Sequence, residues 1–346
     1  LALSCALLST GCSDNFLENK PQGSLSDGVM NSTEAIDLLV NAAYAGLYGM
    51  TNEQSDPWVR PMTNWSFGEV RSDNAYKGGG GESDLWDIHA METFQVQSNN
   101  GNLDGKWFNL YSLISRCQSA LRALNNASDD DVKERASRIA EVKVLRAHFY
   151  FELVRLFNKI PVMDENLPTT EYVNVANDEF SRDQHLAHIA AELIDAANNL
   201  PDRQTEVGRI NRNIALAYAA KVKLYQAYEQ DEQTHAVVNI NKELLREVVN
   251  LINQVQGYDL LPDFQGLDLI ANENGVESVF EVQYSMNDGS GDAGRINWSN
   301  LLNSPGGNSP YHGDGFFLPS QDLINAYQTD KNGLPVFDYQ SRPDYA

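Results

Sequence analysis

The chain has 346 residues, of which 48 are Asp or Glu and 25 are Lys or Arg, so its formal net charge at pH 7 is −23. This acidic balance argues against nucleic acid as a partner, because binding to a polyanion depends on Lys and Arg contacts to phosphates. Hydrophobic residues make up 42% of the sequence, which is enough for a sizeable core, and three cysteines are too few for a disulfide scaffold.

The amino-terminal segment is typical of an export signal. Residues 1–11 are apolar and uncharged, end in small residues and precede Cys12. A Cys in this position resembles the bacterial lipobox, in which the mature protein begins at a lipid-carrying Cys. We therefore expect residues 1–11 to be part of a lipoprotein signal peptide, Cys12 to be lipidated and residues 12–31 to be a tether. The alternative is an ordinary signal peptide that contains a Cys.

Helical periodicity dominates from residue 32 to about residue 255. One apolar stripe contains a cysteine, Cys117, which predicts a small buried side chain rather than a nucleophile. The helix starts keep no fixed spacing, so we expect irregular tetratricopeptide-like helical hairpins rather than a regular repeat. Apolar spacing and capping residues predict a helix over residues 33–49, a second that starts at about 104 and a third from 132 to about 158. Further helices are predicted over 181–199, 211–228 and 239–255.

Two regions break the helical pattern. Residues 51–104 are rich in Asn, Gly, Asp and Trp and show no clear periodicity, and loops of this length are usually functional or disordered. After residue 257, alternation over 278–284 predicts a strand, and a short helix is expected over 320–327. We interpret 32–260 as a helical scaffold carrying the loop-rich insertion 51–104, and 261–346 as a loop- and strand-rich part of the same domain that is truncated.

The insertion combines aromatic side chains with planar polar groups. A sugar presents a flat C–H face flanked by hydroxyls, so an aromatic ring beside Asp, Asn or Arg groups suits such a ligand. A second aromatic cluster is expected to form the opposite wall of this sugar-binding site. Its members are Trp298, Tyr311, Phe316 and Phe317. The alternative is that these aromatic residues pin a large loop to the helices. The predicted ligand-binding residues are Trp58, Trp65, Arg71, Asp73, Asn74, Tyr76, Trp86, Trp298 and Tyr311.

Catalytic and metal-binding signatures are weak. The sequence contains no nucleophile elbow, zinc-protease motif or phosphate loop. His185 and His188 lie three residues apart near Glu192, a spacing that suits a metal, although a solvated helix face is the favoured interpretation. Asp288 and Asp292 partly imitate a calcium loop, so an irregular Ca²⁺ site is a minor alternative to the expectation of no cofactor.

Five stretches between Cys12 and Asp338 form a pattern that is more specific than any of them alone. They are the residues that follow Cys12, the helix marked by Trp107, Tyr111 and Ile114, residues 140–154 with Ile160 and Pro161, residues 208–211, and residues 277–281. Together they resemble the SusD/RagB family of outer-membrane nutrient-binding lipoproteins of Bacteroidota. The chain departs from that family at Asn158 and Lys159, where a Gly-containing turn is common, and at Ala346, beyond which the family continues.

The resemblance implies a mainly α, SusD-like fold and a non-catalytic function in polysaccharide utilisation. In this family a lipid-anchored protein on the cell exterior captures an oligosaccharide and delivers it to a SusC-like, TonB-dependent transporter in the outer membrane. No nucleic acid takes part, and the lipid anchor is the only contact with the membrane. Two alternatives remain open at this point: an extracellular glycan hydrolase that uses a carboxylate pair, and a structural lid of the transporter without ligand affinity of its own.

Overall fold

The computed structural model describes residues 32–48, 64–284 and 313–345, and α-helices dominate these ranges. The prediction of a mainly α fold is confirmed. None of the described helices is both long and apolar enough to cross a membrane. The helices of the described residues are α1 (Thr33–Ala45), α2 (Trp86–Glu92), α3 (Gly101–Asn126), α4 (Arg135–Leu156), α5 (Arg182–Asn198), α6 (Arg212–Ala227), α7 (Lys242–Ile252) and α8 (Gln321–Ala326).

Most of these helices begin at a side chain that caps the free N–H groups of the first turn. At α5, the Ser181 hydroxyl accepts from the Gln184 backbone N–H and the Gln184 side chain accepts from the Ser181 N–H, forming a capping box. Asn211 and Asn241 cap α6 and α7 through their side-chain oxygens. Because these caps are local features of the sequence, the observed helix starts lie within a few residues of the predicted ones.

Two helix starts differ from prediction for local reasons. Helix α4 begins at Arg135 instead of 132, because the Ser128 hydroxyl and the Asp131 carboxylate, 2.6 Å apart, close a separate turn before the helix. Helix α3 begins three residues earlier than expected, at Gly101, because the Asn100 side chain accepts from the Asn102 and Leu103 N–H groups.

The core lies between consecutive helices of an irregular array. Helices α3 to α7 pack pairwise in chain order, and α1 packs on α3 and α4. The apolar stripe of α3 is fully buried at Leu110, Leu113, Cys117, Leu121 and Leu124. Cys117 is a free thiol, and burial raises its pKa to about 12, so it packs as a small hydrophobic residue, as predicted.

A short antiparallel ladder joins the insertion to the carboxy-terminal part. Strand β1 (Ala75–Gly78) pairs with β4 (Phe316–Pro319), with Tyr76 opposite Leu318. Next to this ladder, the Ser320 backbone N–H donates to the Asn74 carbonyl at 2.9 Å. A second ladder pairs β2 (Tyr228–Gln230) with β3 (Val237–Ile240) beside α6. Long-range pairing thus places the two non-helical regions side by side.

The described part of the insertion contains β1, α2 and a 3₁₀ turn at Glu69–Arg71 between its loops. One expectation for the non-helical regions needs correction, because residues 278–284 do not form a strand. Val279 and Phe280 instead pack against the helical core, and the Glu281 carboxylate accepts from the Asn274 N–H at 2.9 Å.

Candidate functional site

The described part of the insertion folds as a small layer with a core of its own. Trp65, Val70, Ile88 and Phe316 are buried together, and Phe317 packs against them. The Trp65 ring centroid lies 6.4 Å from that of Phe316 and 5.6 Å from that of Phe317. This cluster holds α2, the Glu69–Arg71 turn and β4 in one unit.

Trp65, one of the predicted ligand-binding residues, lies in the core of this layer rather than on its surface. Trp65 is only 6% exposed and its indole is enclosed by the phenylalanines of β4. An aromatic ring can stack on a sugar only if one face is open to solvent, and Trp65 instead supplies apolar area to the layer. Phe316 and Phe317 of the second aromatic cluster thus meet Trp65 of the insertion as part of a core.

Other aromatic side chains of the same layer are open to solvent. Tyr76, Trp86 and Phe94 are 47%, 55% and 67% exposed. Trp86 and His89 lie one turn apart on α2 with ring centroids 5.4 Å apart, and the Arg71 guanidinium carbon lies 5.3 Å from the Phe94 ring centroid. We use the name aromatic surface for the exposed and half-buried side chains of this layer at Arg71, Tyr76, Trp86, His89 and Phe94.

The backbone of α2 and β1 determines where these side chains lie. Along β1 the odd and even positions alternate, so Tyr76 faces solvent while Ala75 and Lys77 are buried. Glu92 joins the two elements, because its Oε1 accepts from the Lys77 N–H at 2.7 Å and its Oε2 lies 3.1 Å from His89 Nδ1. The aromatic surface therefore stands on elements that are held together by hydrogen bonds rather than on a free loop.

The predicted polar residues divide between the surface and the turn beneath it. Arg71 is exposed and contributes N–H donors beside the Phe94 ring. The Asn74 amide already donates to Glu69 Oε2 at 3.0 Å, and the Asp73 carbonyl accepts from the Ser320 hydroxyl. Asn74 and the Asp73 backbone thus shape the turn that leads into β1.

Two residues of the aromatic surface, His89 and Phe94, were not predicted. Phe94 follows the end of α2 with a positive φ of 57°, so the change of backbone direction turns its ring out to solvent. The only sequence signal for Phe94 is its position directly after a short amphipathic segment. Trp58, Trp298, Tyr311, Cys12 and the calcium-like loop at Asp288 and Asp292 lie outside the described residues.

A buried polar network anchors this layer to the helical scaffold. Lys106 of α3 donates to Asn64 Oδ1 at 2.9 Å, and the Asn64 amide donates to Glu152 Oε2 of α4 at 2.8 Å. Burial lowers the pKa of Lys106 to about 7. Burial alone would raise the pKa of Glu152, but interactions with His148, Arg155 and Lys106 and the hydrogen bond from Asn64 hold it below its ordinary value. Asn64, the residue before Trp65, is therefore tied to two helices.

The histidine pair of α5 does not form a metal centre. His188 is exposed, but His185 is buried, and the Phe180 ring lies 5.6 Å from His185 and 4.6 Å from His188. Glu192 is engaged in an ion pair with Arg146. Among the described residues, no group of three or more His, Cys, Asp or Glu side chains is arranged to hold a metal ion.

Comparison with known proteins identifies the family to which this chain belongs. The model of a SusD-like family, described as starch-binding and associating with the outer membrane, matches residues 15–224. The chain belongs to this SusD-like family. It is 26% identical over 282 residues to a SusD-like protein of Bacteroides ovatus, an alignment that covers 81% of this chain and 48% of that protein.

Further relatives agree in sequence and in fold. SusD-like protein P2 of Formosa agariphila is 28% identical over 276 residues, covering 79% of this chain and 50% of that protein. A laminarin-binding SusD-like protein superposes with a TM-score of 0.68 at 24% identity, covering 87% of this chain and 65% of that chain. Surface glycan-binding protein A from Bacteroides thetaiotaomicron, in complex with laminarihexaose, superposes with a TM-score of 0.64 at 22% identity. The superposition covers 86% of this chain and 61% of that chain. The chain spans about half the length of the curated relatives it matches.

Proposed function

We propose that this protein is a non-catalytic, cell-surface glycan receptor that captures an oligosaccharide on its aromatic surface. The observation that carries the proposal is the group of exposed aromatic side chains, Tyr76, Trp86 and Phe94, on a SusD-like helical scaffold. Large exposed aromatic rings cost free energy unless a ligand or partner covers them, and open ring faces beside Arg71 match the faces and hydroxyls of a sugar.

The proposed role includes the membrane and a transporter. Cys12 would carry the lipid that holds the protein on the outer face of the outer membrane, and a SusC-like, TonB-dependent transporter would receive the oligosaccharide. The support for this part is the family's description as associating with the outer membrane, together with the lipobox-like sequence at Cys12. Trp58, Trp298 and Tyr311 remain predicted ligand contacts from sequence.

A β-glucan is the first ligand to test, because one structural relative is described as laminarin-binding and another was solved with laminarihexaose. We expect laminarihexaose to bind the wild-type protein in isothermal titration calorimetry. Trp86→Ala removes an open ring from the aromatic surface, so it should weaken binding by about tenfold, equivalent to about 1.4 kcal/mol.

The matched control for Trp86→Ala is Phe264→Ala. Phe264 is 83% exposed but lies in the 3₁₀ turn Phe264–Asp268, outside the insertion that forms the aromatic surface. This control should bind like the wild type. Equal losses in both variants, or none in Trp86→Ala with a glycan that binds the wild type, would remove the aromatic surface as the binding site. Release of reducing sugar by the purified wild-type protein would contradict the non-catalytic role.

A further inference from the structure

The loop between β1 and α2 closes around a buried lysine. Lys77 is only 2% exposed, although a lysine in a surface layer usually keeps its ammonium in water. Its Nζ donates to three backbone carbonyls, those of Gly78 at 2.9 Å, Gly81 at 2.8 Å and Asp84 at 2.6 Å. Three backbone carbonyls of the loop therefore surround the Lys77 Nζ atom.

The geometry requires the charged form of this side chain. A neutral amine has two N–H donors, whereas three carbonyl acceptors within hydrogen-bond distance need the three donors of an ammonium group. The Phe316 ring also contacts the ammonium group, with its centroid 5.4 Å from Nζ. Hydrogen bonds to a charged donor are stronger than neutral ones, so these contacts offset the loss of hydration.

The loop backbone is shaped so that its carbonyls can turn inward. Gly78 and Gly79 both have a φ of +72°, a backbone conformation that residues other than Gly rarely adopt. A Cβ on Gly79 would lie 2.5 Å from the Phe316 ring, so the site also lacks space for a larger residue. The Gly80 N–H donates to Asp84 Oδ2 at 2.7 Å, which closes the loop from the outside.

This carbonyl cage leads directly into the aromatic surface. Asp84, the last residue to contribute a carbonyl, is followed by Leu85 with a positive φ of 52° and then by Trp86, the first residue of α2. On the other side of the cage, Lys77 follows Tyr76 on β1, and its backbone N–H donates to Glu92. Lys77 thus contacts the loop that precedes α2 through its side chain, and α2 itself through its backbone N–H.

We propose that Lys77 is the positioning residue of the aromatic surface, with its ammonium holding together the carbonyls of Gly78, Gly81 and Asp84. Lys77 contacts no ligand itself. It holds Trp86 at a constant position relative to Tyr76, so that an oligosaccharide meets a preformed surface and loses less free energy to the ordering of side chains. The proposal rests on the proposed glycan-binding role of this surface.

The test compares Lys77→Met with an exposed control, Lys133→Met, in the full chain. Methionine fills a similar volume without the charge, and Lys133 lies in the turn between α3 and α4. We expect Lys77→Met to weaken laminarihexaose binding by about tenfold while far-ultraviolet circular dichroism shows an intact helical scaffold. Wild-type affinity, or loss of the helical signal, would overturn the proposal, because Lys77 would then be either dispensable or a determinant of global folding.

A second readout does not depend on any glycan. The fluorescence anisotropy of Trp86, obtained as the difference between each protein and its Trp86→Phe counterpart, should fall in Lys77→Met because the indole loses its support. In Lys77→Ala, propylammonium replaces the missing atoms, so it should restore this anisotropy, whereas propanol should not. Unchanged anisotropy, or equal rescue by both compounds, would overturn the proposal. If laminarihexaose fails to bind the wild type but the anisotropy behaves as expected, the proposed ligand fails and the role of Lys77 stands.

Discussion

At the scale of single residues, Trp65 and Trp86 show how the same side chain takes opposite roles within one short segment. Both lie in a region without periodicity, so sequence provides no face to which either can be assigned. Trp65 is 6% exposed because β4 brings Phe316 and Phe317 onto it, whereas Trp86 is 55% exposed at the start of α2. The difference arises from a strand more than two hundred residues away in sequence, as the 247-residue separation of the hydrogen-bonded pair Asp73 and Ser320 shows.

The histidine of α4 leads to a prediction on pH. His148 is half-buried, with Nδ1 2.7 Å from the Tyr218 hydroxyl, and desolvation lowers its pKa from 6.5 to about 4. Between these two values the unfolded chain binds a proton that the folded protein does not, so stability falls as pH decreases from 6.5 to 4, by roughly 3 kcal/mol from this group. Urea denaturation at pH 7 and at pH 4 measures the loss.

His148→Asn isolates this contribution, because Asn cannot titrate but still offers a polar group to Tyr218. We expect the variant to be less stable at pH 7 through lost packing, and to lose less stability than the wild type on acidification. Since His185 titrates in both proteins, its effect cancels in the comparison. Parallel losses in wild type and variant would contradict the assignment.

At the scale of elements, helix starts were more predictable than strands. Caps such as Ser181 and Asn211 lie next to the N–H groups that they satisfy, so a short window of sequence contains the cause and the effect. Strand pairing has no such local cause. Residues 278–284 alternate but pair with no strand among the described residues, while Phe316–Pro319 pairs with β1 across most of the chain.

The cap of α3 allows an element-scale prediction. Asn100 is 3% exposed, its Oδ1 accepts from Asn102 and Leu103, and its Nδ2 donates to the Asp87 carbonyl of α2 at 2.9 Å. Asn100→Ala removes all three hydrogen bonds, so the free energy of unfolding should fall by about 1–2 kcal/mol. Thermal unfolding followed by circular dichroism measures the change.

Asn100→Asp is the matched control for the cap. The carboxylate keeps the acceptor at the start of α3, where negative charge is also favourable, but loses the donor to Asp87. Its stability should lie between those of the wild type and Asn100→Ala. If Asp were as damaging as Ala, the contact with α2 rather than the cap would be the dominant interaction.

At the scale of the whole molecule, the excess of acidic residues affects stability as well as the choice of partner. A net charge of −23 implies self-repulsion in the compact state. Raising the ionic strength from about 0.01 M to about 0.15 M shortens the Debye length from about 30 Å to about 8 Å, so added NaCl should raise Tm. Sorbitol at matched osmolality is the control for solvent effects without screening. A Tm that NaCl lowers would show that attractive ion pairs outweigh the repulsion.

The same change in ionic strength can be applied to ligand binding. A neutral glucan interacts with ring faces and hydroxyl partners rather than with net charge, so the affinity for laminarihexaose should change little over this range of salt.

The sequence by itself determined the helical class, the buried stripe around Cys117 and most helix starts. These features depend on residues close together in the chain, whose periodicity and caps are visible without a structure. Only the tertiary structure decided which aromatic side chains are open to solvent, which polar groups support the backbone, and that Lys77 lies within a ring of carbonyls. Those outcomes depend on contacts between β1, α2 and β4, because burial is a property of the surroundings that distant segments supply.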